Sequence, residues 1–126
     1  MTILRFTVTH DDTAIALGSG DVPVLATPRL LAWMEQATVA AASTRVDATS
    51  TTVGVEVWMR HRRASAVGAV VEVEVTDVTE QDRGLSFEVV AREVPAGDIE
   101  SGTGREIATG RVVRAIVDRG AFLGRL

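Results

Sequence analysis

A change of hydrophobic period near residue 51 constrains this chain more than any other feature. Ahead of it lies one long stretch with helical spacing. Beyond it, four strand-like runs follow one another to residue 118. In "TTVGVEVWMRH" (51–61) the period of two puts Val53, Val55, Val57, Met59 and His61 on one side. "AVGAVVEVEVTDV" (66–78) alternates Val with Glu72, Glu74 and Thr76. "GLSFEVVAREV" (84–94) sets Leu85, Phe87, Val89 and Ala91 against Ser86, Glu88 and Arg92. "REIATGRVVRAIVD" (105–118) reads as the last strand. Between them, "RASAVG" (63–68) and "EQDRG" (80–84) read as hairpin connections, and "PAGDIESGTG" (95–104) as a loop.

The helical stretch opens at Thr27-Pro28. Thr suits the N-cap, and Pro suits the first helical position, where a missing N–H costs nothing. Leu30, Leu31, Met34, Ala37, Thr38 and Ala41 keep helical spacing, which predicts a helix to about Arg45. Its second half, "ATVAAAS" (37–43), is built of small residues and allows close packing. "ILRFTVT" (3–9) reads as a short strand and residues 10–23 as an irregular connection rich in Gly and Asp. The order β-α-β-β-β-β predicts an α+β domain, a long central helix wrapped by a curved antiparallel sheet. This is the hot-dog architecture. A length of 126 residues fits one such domain over 1–126.

Composition narrows the function. Hydrophobic residues make up 46% and charged residues 24%, the profile of a soluble globular protein. No apolar run approaches the ~18 residues that span a bilayer, and the N-terminus lacks a signal-peptide pattern. No membrane partner is expected, and a cytoplasmic location follows by default. A net charge of −4 argues against nucleic acid as a partner. Without cysteine there is neither a disulfide nor a thiol nucleophile. Without lysine, all 13 basic residues are Arg. No phosphate-cradling Gly-rich loop or nucleophile elbow occurs, so no cofactor is expected. His10, Asp11 and Asp12 are metal-ligand types, but adjacent loop residues rarely converge on one ion, and no metal is expected.

Few residues are left for chemistry. Thr27 at the helix start is an ordinary cap on one reading. On another, its hydroxyl sits where free N–H groups favour a developing anion, and it acts if a base is near. Glu35, eight residues on, lies roughly 80° round the helix on the flank of the apolar stripe. It is either a half-solvated flank residue or a carboxylate lining a cleft. His61 is either a satisfied core histidine or the base that a Thr hydroxyl requires. Arg60, Arg62 and Arg63 form either a solvated cluster or a phosphate site. Gly54, interrupting a Val-rich strand, marks a bulge or a close backbone approach.

In combination, "GSGDVPVLATPRLLAWMEQA", "TTVGVEVWMRH" and "AVGAVVEVEV" resemble the fluoroacetyl-CoA-type thioesterase family of hot-dog proteins, from about Gly18 to Phe122. The specific part is "VLATP", a helical Glu eight residues after the Thr, "VG-x-E-V", and a His seven residues after that Gly. The resemblance implies a thioester hydrolase with a catalytic set on Thr27, Glu35 and His61, and a backbone contact to the substrate carbonyl at Gly54. It leaves open whether Thr27 or Glu35 is the nucleophile. The family's assisting arginine falls on Arg114, with Ile107, Gly110 and Phe122 matching, or on Arg105 in a second register. "RRASAVG" departs from the family's "APTPVG", and Gly110-Arg111-Val112 replaces its Gly-Thr-His. Asp21 stands about where the aromatic gate of the fluoroacetyl-specific member would be. The resemblance therefore implies hydrolysis of a small or medium acyl-CoA rather than fluoroacetyl specificity. Its alternatives are a hot-dog protein that binds acyl-CoA or another small ligand without turnover, and a hydratase or dehydratase. A homodimer is also expected, because an open sheet with a Val-rich edge, such as one carrying "AVVEVEV", is a pairing template.

Overall fold

The computed structural model describes residues 2–95, Gly97 and residues 100–126; part of the loop read over 95–104 lies outside them. Strand β1 (Thr2–Thr7) is followed by a 3-10 turn (His10–Asp12) and a short helix α1 (Ala14–Leu17). The expected irregular connection thus holds a little helix. Then come the long helix α2 (Thr27–Ala42), strands β2 (Ser50–His61), β3 (Val70–Gln81), β4 (Gly84–Val94) and β5 (Arg105–Asp118), and a short helix α3 (Arg119–Gly124).

Helix α2 begins one residue earlier than its sequence suggests. Ala26 is the N-cap (φ −71°, ψ 137°), no side chain caps it, and Thr27 is already helical. Two backbone bonds fix this start: Ala26 N–H donates to the Asp12 carbonyl at 2.8 Å, and Leu30 N–H donates to the Ala26 carbonyl at 3.0 Å. The helix ends at Ala42 rather than Arg45. There Ser43 Oγ donates to the Ala40 carbonyl at 2.7 Å. Asp47 then accepts from the N–H groups of Thr49 and Ser50, both at 3.0 Å. Such short polar side chains offer the backbone local partners that compete with a further helical turn.

The five strands form one antiparallel sheet in the order β1-β3-β4-β5-β2. "EQDRG" is the hairpin expected of it, with Arg83 at φ 58° in the turn between β3 and β4. "RASAVG" is not a hairpin, because β2 pairs with β5 and β3 lies between β1 and β4. The segment crosses instead, tied by Leu25 N–H to the Ser65 carbonyl and Gly68 N–H to the Val8 carbonyl, each at 2.8 Å. Turn composition does not distinguish a hairpin from a crossover. Nor is the "AVVEVEV" strand an edge: β1 covers it from Thr2↔Val75 to Thr7↔Val70. The edges are β1 and β2.

A bulge in β2 changes the face assignments. Val53 pairs with Ala115, Gly54 with Arg114 and Glu56 with Val113, which leaves Val55 as an extra residue. One inserted residue inverts the alternation on either side of it. Gly54 therefore shares the helix-facing side with Val57, Met59 and His61, opposite buried Arg114, Val112, Gly110 and Ala108. Val53 goes to the other face.

Helix α2 packs on all five strands. Leu30, Met34, Ala37 and Thr38 are fully buried against residues that include Val71, Val73, Phe87 and Ile107. Phe6 and Trp33 stack with ring centroids 4.6 Å apart. A Cβ on Gly110 would lie 2.9 Å from Met34 Sδ, so the absent side chain admits the helix. No helix among the described residues is long and apolar enough to cross a membrane.

Candidate active site

The strand β2 runs alongside α2 and presents its two halves to two different parts of the helix. At the helix start, Thr27 Oγ1 lies 2.8 Å from His61 Nδ1. This contact explains why the Thr27 hydroxyl does not cap: it is turned to the strand. Burial pushes the His61 imidazole below its ordinary value of 6.5, with the Arg63 backbone opposing. The ring is then neutral at pH 7; in the tautomer that carries its proton on Nε2, Nδ1 accepts the Thr27 O–H. Nε2 itself is buried and makes no hydrogen bond of good geometry among the described residues, with the Arg63 backbone as its polar neighbour. A hydroxyl donating to a neutral imidazole is the arrangement needed to deprotonate that hydroxyl, or a water in its place.

Two turns along the helix, Glu35 meets Gly54 and Arg114. A Cβ on Gly54 would be 2.6 Å from Glu35 Oε2, so the backbone approaches the carboxylate closely. Arg114 Nη1 is 3.6 Å from the same oxygen. Burial lowers the Arg114 guanidinium and the Glu35 charge opposes that. Arg114 is held by Thr52, donating from Nε to Oγ1 at 2.8 Å and from Nη2 to the carbonyl at 3.2 Å. The Glu35 side chain is 39% exposed, so it reaches solvent rather than the core.

The expected site residues thus fall into two groups. Thr27 and His61 are joined, and so are Glu35, Gly54 and Arg114. Eight helical residues separate the groups by about 12 Å, and no hydrogen bond or ion pair among the described residues links them. Arg114, not Arg105, stands beside Glu35; Arg105 is exposed at the start of β5, opposite Glu93. Arg62 and Arg63 border a depression of about 270 Å³ that also contains Thr27 and His61. Arg60 lies on the other face of the strand, opposite Thr109, with its guanidinium 5.8 Å above the Trp58 ring. Asp21 is exposed between α1 and α2. His10, Asp11 and Asp12 are occupied by turn structure: Thr9 N–H donates to Asp12 at 2.8 Å, and Arg29 Nε pairs with Asp12 at 3.0 Å. Sequence reasoning missed Thr52. A threonine in a strand reads as β-propensity, and only the pairing of β2 with β5 reveals what it holds.

Residues 8–120 match the sequence profile of the family described as fluoroacetyl-CoA-specific thioesterase. Among solved structures, a variant of the fluoroacetyl-CoA-specific thioesterase FlK in complex with fluoroacetate and CoA superposes with a TM-score of 0.82 at 23% identity, covering 99% of this chain and 95% of that one. Another FlK variant, in complex with acetyl-CoA, gives 0.82 at 22% identity, covering 98% and 91%. A Thermus thermophilus hypothetical protein, a thioesterase superfamily member, gives 0.83 at 19% identity, covering 98% and 85%. The search of curated proteins gives no match.

Proposed function

This chain belongs to the fluoroacetyl-CoA-specific thioesterase family, and we propose that it hydrolyses a small or medium acyl-CoA thioester to the free acid and coenzyme A. The observation that carries this reading is the 2.8 Å contact between the Thr27 hydroxyl and Nδ1 of a His61 kept neutral by burial. His61 takes a proton from the attacking oxygen and returns it to the departing thiolate, so that thioester and water become acid and thiol. Thr27 supplies or positions the oxygen. Glu35, steadied by Arg114, orders the water or carries the acyl group, and the Gly54 backbone lies against the thioester carbonyl. Arg62 and Arg63 attract the coenzyme A phosphates.

The same reading includes a homodimer. The outer edge of β2 exposes Val55, Val57 and Trp58, and edge strands of this kind invite a second copy. A two-fold axis beside β2 would set the Thr27–His61 pair of one chain near the Glu35–Arg114 group of the other. That would answer the 12 Å separation within one chain. Light scattering checks it: a fully active species of 13.4 kDa would refute the dimer.

Free-thiol release from a panel of short, branched and aromatic acyl-CoA thioesters tests the activity. His61→Ala should remain folded and lose on the order of a hundred- to ten-thousand-fold. A wild-type protein that binds acyl-CoA without releasing thiol would turn the reading into that of a binding module.

A further inference from the structure

Arg114 is buried beside Glu35, and a buried guanidinium needs acceptors for its fork of N–H donors. One residue supplies two of them. Nε donates to Thr52 Oγ1 at 2.8 Å, and Nη2 donates to the Thr52 carbonyl at 3.2 Å. These two nitrogens form one edge of the guanidinium, so Thr52 grips it at two points and fixes the direction of its plane. The remaining nitrogen, Nη1, is the one turned to Glu35.

A short piece of sequence makes this grip. Thr52 and Gly54 stand two positions apart on β2 and so face the same side of the sheet. Gly54 pairs with Arg114 and Thr52 with Ile116, which makes Thr52 the diagonal neighbour of Arg114, within reach of a long side chain. Gly54 puts no side chain in the way: a Cβ there would lie 3.5 Å from Nη1. The guanidinium leans along the strand to Thr52 while Nη1 stays 3.6 Å from Glu35 Oε2. That separation exceeds a hydrogen bond. Arg114 therefore acts on Glu35 through its charge and leaves the carboxylate lone pairs for water or an acyl carbon. Without Thr52, the same donor edge would be free to close on Glu35, the carboxylate that Arg114 already faces, as a two-point ion pair.

We propose that Thr52 is a positioning residue for thioester hydrolysis: by occupying the Nε–Nη2 edge of Arg114, it keeps the guanidinium from closing on Glu35, so that the carboxylate stays free to react. The role rests on the thioesterase reading for its reaction and on the Thr52–Arg114 bonds alone for the grip. Only the hydroxyl is special to threonine, since any residue at this position presents a carbonyl. Thr52→Val keeps the β-branched shape at a half-buried strand position and removes that one acceptor.

Thr52→Val should stay folded in urea unfolding and lose on the order of ten- to a hundredfold in kcat, the range set by a displacement of about 1 Å, with KM nearly unchanged. Thr52→Ser should recover most of the rate. Thr51→Val, on the opposite face of the same strand, should match the wild type. In an Arg114→Gln background, Thr52→Val should cost little more, because the two residues act as a unit. The Arg114 Nε–H signal in NMR, assigned by its loss in Arg114→Gln, should exchange with solvent on the order of tenfold faster in Thr52→Val. Full kcat in Thr52→Val, or a loss that multiplies independently with that of Arg114→Gln, would overturn the positioning role and leave the thioesterase reading standing. Unchanged Nε–H exchange would overturn the grip itself. A wild type that releases no thiol, with Nε–H protection that still depends on Thr52, would overturn the thioesterase reading and uphold the grip.

Discussion

Adding one methyl group at Gly54 should separate catalysis from stability. A Cβ there would sit 2.6 Å from Glu35 Oε2 and 3.5 Å from Arg114 Nη1. Ordinary contact begins near 3.4 Å, so the carboxylate has to retreat by roughly 1 Å. It has room to do so, because the Glu35 side chain is 39% exposed and only its far end is touched. The Gly54 backbone lies outside the left-handed region, so alanine fits without strain. Restricting the unfolded chain stabilises by about 0.4–1 kcal/mol, and an off-rotamer Glu35 costs about 0.5–1.5 kcal/mol. The two nearly cancel, and urea unfolding of Gly54→Ala should stay within about 1 kcal/mol of wild type. Activity should not be spared. A misplacement of about 1 Å can cost on the order of a hundredfold, so kcat/KM for acyl-CoA should fall by that order. A folded Gly54→Ala protein with wild-type turnover would refute the place given to Glu35. A loss of several kcal/mol would refute the argument that the carboxylate yields and the backbone does not.

Thr27→Ala should change stability by no more than about 0.5–1.5 kcal/mol, the value of one hydrogen bond, since the hydroxyl caps nothing. The same variant should lose most activity, and Thr27→Ser should keep much of it. A destabilisation near 2 kcal/mol in chemical unfolding would restore the cap. For His61, the folded imidazole titrates below 6.5, so between that depressed value and 6.5 the unfolded chain binds more protons. Stability therefore rises with pH across this window and is lost as pH falls through it. The acid limb of kcat/KM should bend below 6.5, and His61→Gln should remove His61's part of the stability slope; an unchanged slope would contradict the burial effect. Gly110→Ala should cost about 1–3 kcal/mol through overpacking, read from the urea midpoint. Its Cβ would meet Met34 Sδ at 2.9 Å and the Trp58 carbonyl at 3.0 Å.

The sequence by itself determined the order of the long helix and the five strands, though not the short helices α1 and α3, because periods of 3.6 and 2 are local properties of the chain. The long helix (though not its exact ends), the strand over Gly84–Val94 and the hairpin at Asp82-Arg83 follow from residues within a few positions of one another. The motifs that carry Thr27, Glu35, Gly54 and His61 also resembled a known family, and that resemblance, rather than the geometry of helix or strand, singled them out as a candidate site. What lay beyond the sequence is pairing. Which strand covers the "AVVEVEV" run, and that "RASAVG" crosses rather than turns, depend on partners distant in the chain. The bulge after Gly54 is likewise set by the match of β2 to β5, and it alone turns Gly54 toward Glu35. The cap failed for a similar reason: local chemistry offers Thr27 the helix N-terminus, but His61, 34 residues away, takes its hydroxyl at 2.8 Å. Arg114 and Arg105 look alike in sequence and differ only in position along β5, where one is buried beside Glu35 and the other exposed near Arg63. Hydrogen bonds and charges act over a few ångströms, and only the folded chain decides which residues come within that range.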